Sequence, residues 1–412
     1  MIIGIDFSRG EMEHRTGVEW YSHNIVKHLL DLGAEHEIVL YSRRGGVSSC
    51  CRDGVNPVSM VHLRWPFRFG WTQFRLSLEM VLRPPDVLFV PSYILPHITP
   101  KRVVTMVHDV AFKRHPEWYS QKQIRVLELG IRRIIKKRVV VLVPTEFVKR
   151  ELLKLYPEMC DLDIRVIPHG VDHTLFRRRS PSPLQGESAP PAGGWQRGEV
   201  VDTKVVPPSP YFLFIGRLES KKNISHIVDA FVEFVGDVPS PLQGEGRVRS
   251  YVKSGDVETG FPPEADHPQG ETPSLQTSLL LVGRPGHGYE RFAHKLNHPN
   301  IHVIPSVSAE ELVILYQNAI ALVFSTLYEG FGMPILEAMA CGCPVITSKG
   351  GAYEEVAGTA ALLVDPHNIL DIADAMIKIQ SGGWKEKGLK RAHQFSWDAS
   401  AQQTLALVCN KY

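Results

Sequence analysis

Glu329-Gly330-Phe331-Gly332-Met333-Pro334-Ile335-Leu336-Glu337 is the stretch on which the reading of this chain turns. The apolar run Ala319 to Phe324 ahead of it predicts a buried strand, and Pro334 to Met339 predicts a helix. Pro334 suits a helix start, because its missing N–H removes nothing there. Gly330 and Gly332 allow the backbone to approach a partner closely. The free N–H groups of the helix start favour an anionic or hydroxyl-rich ligand. Glu329 falls in the loop and Glu337 in the first helical turn, so two carboxylates, natural acceptors for hydroxyls, can face one cleft. On spacing alone the stretch is equally a plain strand–loop–helix turn with two solvated glutamates.

The same alternation extends outward. Tyr211 to Ile215, Leu279 to Val282, Ile301 to Ile304, Pro344 to Thr347 and Ala361 to Val364 read as strands. Ile224 to Val235, Ala309 to Gln317 and Ile369 to Ile379 read as the helices of that series. An earlier series has strands at Ile2 to Ile5, Glu37 to Tyr41, Val87 to Val90, Val103 to Val107, Val139 to Val143 and Ile164 to Ile167. Its helices fit Gly17 to Leu32, Gln121 to Lys137 and Thr145 to Leu155. Strands alternating with helices predict parallel, doubly wound sheets, so the fold class is α/β with two such domains. The expected division is a first domain over 1–176, a second over 209–383 and a terminal helix over 384–412 that returns to the first.

Two stretches interrupt the pattern, 177–208 and 236–277. Both are rich in Pro, Gly, Ser and charge, and both carry the heptapeptide PSPLQGE, at Pro181 to Glu187 and Pro239 to Glu245. Too little apolar area is present to offset the entropy of ordering, so both are expected to be disordered insertions.

Composition bounds the rest. A chain of 412 residues fits two or three domains at about 150 residues each. The net charge of +2 argues against a polyanion binder, and no nucleic-acid motif is present. The six cysteines form no CxxC pair and suit a reducing compartment. No signal-peptide pattern opens the chain, and no apolar run approaches the roughly 18 residues of a membrane span. The expected location is cytoplasmic, at or near the inner face of the cell membrane.

Gly216-Arg217-Leu218-Glu219-Ser220-Lys221-Lys222-Asn223 follows the strand ending at Ile215 and precedes a helix. Cations at a strand's C-terminal end beside a helix start make a diphosphate site, although such turns are often only solvated surface. Gly17 stands before the first helix, and His108-Asp109 follows the strand Val103 to Val107. Alone, each is ordinary turn chemistry or a satisfied structural residue.

The stretch Ser325 to Pro366, with Ala338-Met339-Ala340-Cys341-Gly342-Cys343-Pro344-Val345 inside it, resembles the signature of glycosyltransferase family four. The resemblance implies the GT-B fold: two Rossmann-like domains with parallel sheets facing a central cleft. It implies that Glu329 faces the donor sugar and Glu337 the nucleotide ribose, with Gly330, Phe331, Gly332, Met333 and Pro334 lining the donor. Gly216, Arg217 and Lys222 match the diphosphate site, Lys221 being a substitute for Lys222. Gly17 matches a loop near the diphosphate, where many members have two adjacent glycines and this chain has one. His108 matches a histidine near the anomeric centre, Gly283 a close approach beside the base, and Val307 a cover over it. The residues implied in catalysis are His108, Arg217, Lys222 and Glu329.

The resemblance thus implies a retaining, metal-independent transferase without a cofactor. It would move a hexose from a nucleotide-sugar donor to a saccharide or lipid-linked acceptor. Similarity in the first domain points to mannose carried by GDP-mannose. Arg64-Trp65-Pro66-Phe67-Arg68-Phe69-Gly70-Trp71 and the cations Arg132 to Arg138 suit an anionic lipid surface, although a half-buried loop and a solvated helix face are the plainer reading. Competing readings are another GT-B enzyme such as a nucleotide-sugar epimerase, and a non-catalytic nucleotide-sugar-binding protein. A nicotinamide-dependent dehydrogenase is disfavoured, because Asp6-Phe7-Ser8-Arg9-Gly10 replaces the glycine fingerprint.

Overall fold

The structure, a computed structural model, describes residues 1–12, 17–33, 35–43, 58–67, 69–177, 210–236 and 277–410. The two repeat-bearing stretches therefore lie outside the described residues, apart from Arg177, Gly236 and Thr277 at their edges.

The first sheet contains β1 (Ile2–Asp6), β2 (Glu37–Ser42), β3 (Val58–His62), β4 (Val87–Val90), β5 (Val103–Met106), β6 (Val140–Val143) and β7 (Ile164–Val166). The second contains β8 (Tyr211–Ile215), β9 (Ser278–Val282), β10 (Ile301–Ile304), β11 (Ala321–Phe324), β12 (Val345–Ser348) and β13 (Leu362–Val364). Their orders are β3-β2-β1-β4-β5-β6-β7 and β10-β9-β8-β11-β12-β13, with every pairing parallel. These are two Rossmann-like domains.

Central strands such as Val-Leu-Phe-Val in β4 and Ala-Leu-Val-Phe in β11 are buried on both faces. That is why they read as unbroken apolar runs rather than alternating ones. Strand order reverses between β1 and β4 in the first sheet and between β8 and β11 in the second. The carboxyl ends beside such a reversal are where open α/β sheets hold ligands. The Gly216–Asn223 and Ser325–Gly332 loops leave β8 and β11 at that place.

Helix starts follow capping chemistry. Ser120 and Ser308 each form a capping box with Gln123 and Glu311, and Thr145 accepts from the Val148 amide.

The segment from 384 onward is two helices rather than one. Trp384–Ala392 packs against the helix Met333–Ala340 in the second domain, whereas Trp397–Cys409 packs on Gly17–Leu32 in the first. The chain crosses between them at Phe395 to Trp397. There Ser396 bridges Val171, His173 Nε2 lies 3.0 Å from the Phe395 carbonyl, and a Cβ on Gly170 would meet the Trp397 nitrogen at 2.1 Å. The outgoing and returning crossings are thus stitched together. Trp397, Ala401 and Val408 complete an apolar core of the first domain, and Met333 packs against the cores of both domains. No described helix is long and apolar enough to cross a membrane.

β3 was not anticipated. Its sequence, Val-Ser-Met-Val-His, has too little apolar character to stand out, and its pairing with β2 defines it.

Candidate active site

Gly332 adopts φ +91°, a left-handed conformation that favours glycine, and caps the helix Met333–Ala340. Pro334 is the second residue of that helix and Glu337 the fifth, so Glu337 stands one turn above the helix start rather than inside its first turn. Its carboxylate accepts a 3.0 Å hydrogen bond from the Tyr316 hydroxyl. Burial lifts the Glu337 carboxyl to about 7, against the opposing donation from Tyr316.

Glu329 points elsewhere. Lys222 Nζ donates to its carboxylate, with the two side chains 14% and 15% exposed. The same ammonium lies 5.4 Å from the Phe324 ring centroid. The sequence assigned Lys222 to a diphosphate and Glu329 to a sugar; the fold makes them the two ends of one ion pair.

Lys221 lies 3.4 Å from Glu219. Burial would lower its pKa, but the nearby carboxylates of Glu329, Asp109 and Glu219 outweigh this and raise it. Asp109 and Tyr119 belong to the first domain, so carboxylates from both domains act on this ammonium. Arg217 sits at the strand end with its side chain 58% exposed, 4.0 Å from Glu219. Gly216 has φ +142°. Glu219, Asp109 and Tyr119 were not among the site residues anticipated from sequence. Asp109 was visible beside His108, but nothing local points to Tyr119.

The loop bearing Glu329 is docked against the first domain along its length. Tyr328 is buried, with its ring 5.8 Å from that of His115 and 5.7 Å from that of Phe147. Phe331 is buried with its ring 4.6 Å from that of His169. The Thr145 hydroxyl donates to the Gly330 carbonyl at 3.0 Å. A Cβ on Gly330 would meet the His108 carbonyl oxygen at 1.8 Å. Gly330 is therefore needed for contact with the other domain's backbone, and Phe331 packs inward rather than lining an open face. Gly283 behaves similarly: its Cβ would meet the Gly216 carbonyl at 1.8 Å, so its close approach is to the neighbouring loop. Val307 packs half-buried against the core of the second domain.

His108 is buried, and its Nε2 lies 2.9 Å from the Pro91 carbonyl, which makes that nitrogen the donor and leaves Nδ1 as an acceptor. Burial lowers its pKa, against opposing contributions from the Pro91 carbonyl, Asp109 and Glu19. The imidazole is thus held neutral. Tyr21 meets it edge-on at 4.8 Å, and His169 lies at 5.4 Å. Burial, with His108 second, holds His169 well below the ordinary histidine range. Gly17 opens the first helix across from Met333, whose Cε would lie 3.8 Å from an added Cβ.

The fold therefore brings Gly17 and His108 of one domain to Glu329, Gly330, Phe331, Gly332 and Met333 of the other. Gly216, Arg217 and Lys222 stand at the adjacent strand end. Glu337 is turned towards Tyr316. Chemically, the site offers three cations, a paired carboxylate and a neutral imidazole at the meeting of two domains. Among the described residues no group of three or more His, Cys, Asp or Glu side chains could hold a metal ion.

Comparison with known proteins gives the family and the fold. Residues 15–175 match the model described as Glycosyltransferase Family 4, and residues 274–396 match Glycosyl transferases group 1. The chain is 27% identical over 321 residues to O-antigen chain mannosyltransferase B of Escherichia coli, covering 76% of this chain and 72% of that protein. It is 34% identical over 116 residues to an MMP alpha-(1->4)-mannosyltransferase of Mycolicibacterium hassiacum, a match covering 26% of this chain and 28% of that protein. Among solved structures, WaaG, a glycosyltransferase involved in lipopolysaccharide biosynthesis, superposes with TM-score 0.65 at 12% identity over the whole of both chains. A sucrose-phosphate synthase from Thermosynechococcus elongatus gives TM-score 0.65 at 16% identity, covering 98% of this chain and 97% of that one. Anabaena HepE in complex with UDP-glucose gives 0.63 at 14%, covering 98% of each. The chain belongs to glycosyltransferase family four and has the GT-B fold.

Proposed function

We propose that this glycosyltransferase moves mannose from GDP-mannose to a hydroxyl of a saccharide or lipid-linked acceptor, with retention of anomeric configuration and without a metal ion. The observation that carries the reading is the Lys222–Glu329 ion pair at the strand-order reversal, with Arg217 and Lys221 beside it and the neutral His108 across the cleft. The mannosyltransferase names of the relatives from E. coli and M. hassiacum support the sugar.

In this reading the bond between the anomeric carbon and the phosphate oxygen breaks, leaving negative charge on the diphosphate. Arg217, Lys221 and Lys222 stabilise that charge from fixed positions. Glu329 and His108 orient the sugar between the domains. A double displacement needs a carboxylate nucleophile at the anomeric carbon. Glu329, the carboxylate best placed for the sugar, is engaged by Lys222. The acceptor hydroxyl therefore attacks from the face the diphosphate leaves, and its proton passes to the departing phosphate oxygen. NMR of the product made from GDP-α-mannose is expected to show an α linkage; a β linkage would overturn the mechanism.

An anionic membrane surface is the proposed setting of the acceptor. Phe69, Phe74, Leu82 and Leu129 are 78%, 60%, 64% and 61% exposed on the first domain. The loop between β4 and β5 ties the helices Ser77–Leu82 and Gln121–Lys137 together, the His97 amide donating to the Ser77 hydroxyl at 2.8 Å. Arg133 donates to the Leu95 carbonyl at 2.8 Å, and Lys137 to the Thr99 hydroxyl at 3.1 Å. Exposed apolar side chains beside crowded cations suit anionic lipid. Trp71, in contrast, is buried and donates to the Leu63 carbonyl, so it belongs to the core. Sedimentation with phosphatidylglycerol vesicles is expected to carry the protein down. Equal recovery of a Phe69→Ser/Leu82→Ser variant would remove this part of the proposal.

A further inference from the structure

The N-terminus of the helix Glu146–Leu155 belongs to the first domain, yet the second domain completes it. The Glu146 and Phe147 amides donate to the two carboxylate oxygens of Glu355, at 2.7 and 2.9 Å. The Val148 amide donates to the Thr145 hydroxyl, and the Lys149 amide to the Thr145 carbonyl. The Glu146, Phe147 and Val148 amides, which the helix start leaves without a helical partner, are thus satisfied, two of them by a carboxylate from across the cleft, and the Lys149 amide makes the first helical bond. A negative charge is also favoured there by the helix dipole.

The same point holds the site loop. Thr145, the cap of this helix, donates its hydroxyl proton to the Gly330 carbonyl, one residue beyond Glu329. The short helix that carries Glu355, Ala352–Ala357, is tied to the loop as well, since Tyr353 donates to the Leu327 carbonyl at 3.0 Å. From behind, Arg391 donates to the Glu355 and Val356 carbonyls at 2.7 and 2.9 Å. Glu355 itself touches none of Arg217, Lys221, Lys222, Glu329 or His108 in the hydrogen bonds described.

We infer that Glu355 is a positioning residue, an inter-domain latch that holds the Glu329–Gly330 loop against His108 in the arrangement that turns over the donor. The two domains are covalently joined at the crossings near Gly170 and Phe395 and packed together through Tyr328, Gly330 and Phe331. The latch adds two charge-assisted hydrogen bonds to that packing, at the helix whose cap carries the site loop. The inference rests on the proposed cleft reaction, but its geometry can be tested apart from activity.

The test compares the full chain with Glu355→Gln and Glu355→Ala variants. Small-angle scattering reads the domain separation, titration with GDP and UDP reads nucleotide binding, and steady-state kinetics read donor turnover. Opening is expected to raise the radius of gyration of Glu355→Ala. Its kcat/KM should fall about tenfold or more, the size expected when charge-assisted hydrogen bonds are lost. Nucleotide affinity should stay within about twofold, since Arg217, Lys221 and Lys222 are all on the second domain. Glu355→Gln, which keeps one acceptor oxygen, should fall between. An unchanged radius and unchanged turnover in Glu355→Ala overturn the inference. So does a loss of nucleotide binding and melting temperature in step with turnover, which would make Glu355 a structural residue only. If the parent protein turns over no donor, the proposed reaction fails, and the scattering comparison still decides the latch.

Discussion

Replacing Gly330 with alanine adds one methyl group where no space exists for it. The new Cβ would lie 1.8 Å from the His108 carbonyl oxygen and 3.2 Å from the Asp109 Cβ. Real Cβ contacts essentially never fall below 3.0 Å, so the two backbones must separate by about 1.2 Å. Gly330 does not have a positive φ, so alanine can adopt its backbone conformation and only the contact is at stake. His108 is on one domain and Gly330 on the other, which lets the clash relax by domain separation without opening either core. A misplacement of about 1 Å at a reacting centre costs on the order of 100-fold in rate. That factor corresponds to about 2.7 kcal/mol of transition-state stabilisation. The expected result is a kcat/KM for nucleotide release reduced about 100-fold with little change in melting temperature. Gly283→Ala provides the contrast. Its Cβ would meet the Gly216 carbonyl at the same 1.8 Å, but within one domain, so it should lower the melting temperature markedly. Full activity in Gly330→Ala, or a thermal loss as large as that of Gly283→Ala, would refute the claim that Gly330 is an inter-domain contact.

Further outcomes follow from the same geometry. The Glu337 carboxyl titrates at about 7 in the folded chain against an ordinary 4.5, so the folded state holds its proton more tightly. Its contribution to stability is therefore full below pH 4.5 and is lost as pH rises towards 7. The melting temperature of Glu337→Gln relative to the parent should rise across that window and level off above it; a falling difference would contradict the assignment. Lys222→Met strands the largely buried Glu329 carboxylate and should cost about 3–5 kcal/mol, with a Lys222→Met/Glu329→Leu double variant more stable than that single one. Urea unfolding of the set measures this, and additive losses would deny the coupling. Trp397→Ala empties a buried site between the C-terminal helix and the first domain and should cost about 3–5 kcal/mol in urea unfolding. A loss below about 1 kcal/mol would show that the returning helix is not part of that core.

What could be seen in the sequence was whatever is encoded locally. β4 and β8 are unbroken apolar runs and β10 is apolar apart from His302, and their bounds match the structure to the residue. The helices Gly17–Leu32, Gln121–Lys137 and Ile224–Val235 were equally legible from periodicity. Locally ambiguous stretches were not. β3 depends on its pairing with β2, and Trp71–Leu76 begins as a π-helical turn after the left-handed Gly70, a geometry that hydrophobic spacing does not signal. The split of the C-terminal segment into two helices was hidden because the buried face of the second, Trp397, Ser400, Ala401, Thr404 and Val408, carries few large apolar side chains to mark it as a separate helix.

At the site, the residue types and chain positions of Arg217, Lys222, Glu329 and Glu337 came from motif spacing together with the family resemblance, but their partners did not. Tyr316 lies on a helix before the motif, Thr145 is 185 residues from Gly330, and Glu355 is 209 residues from Glu146. Contacts at that separation are set by how two domains meet, and a single sequence carries no local sign of it. For the same reason nothing local shows that the atoms nearest Gly330 and Gly283 are backbone carbonyls.

The central claim is that this cleft breaks a nucleotide-sugar bond, and one measurement addresses it most directly. Purified protein is incubated with GDP-mannose, UDP-glucose and UDP-N-acetylglucosamine, with and without lipid-linked acceptors, beside a Glu329→Ala variant, and free nucleotide diphosphate is followed. Release from GDP-mannose that disappears in the variant is the expected result. No release from any donor under any of these conditions, or release that the variant retains in full, would contradict it.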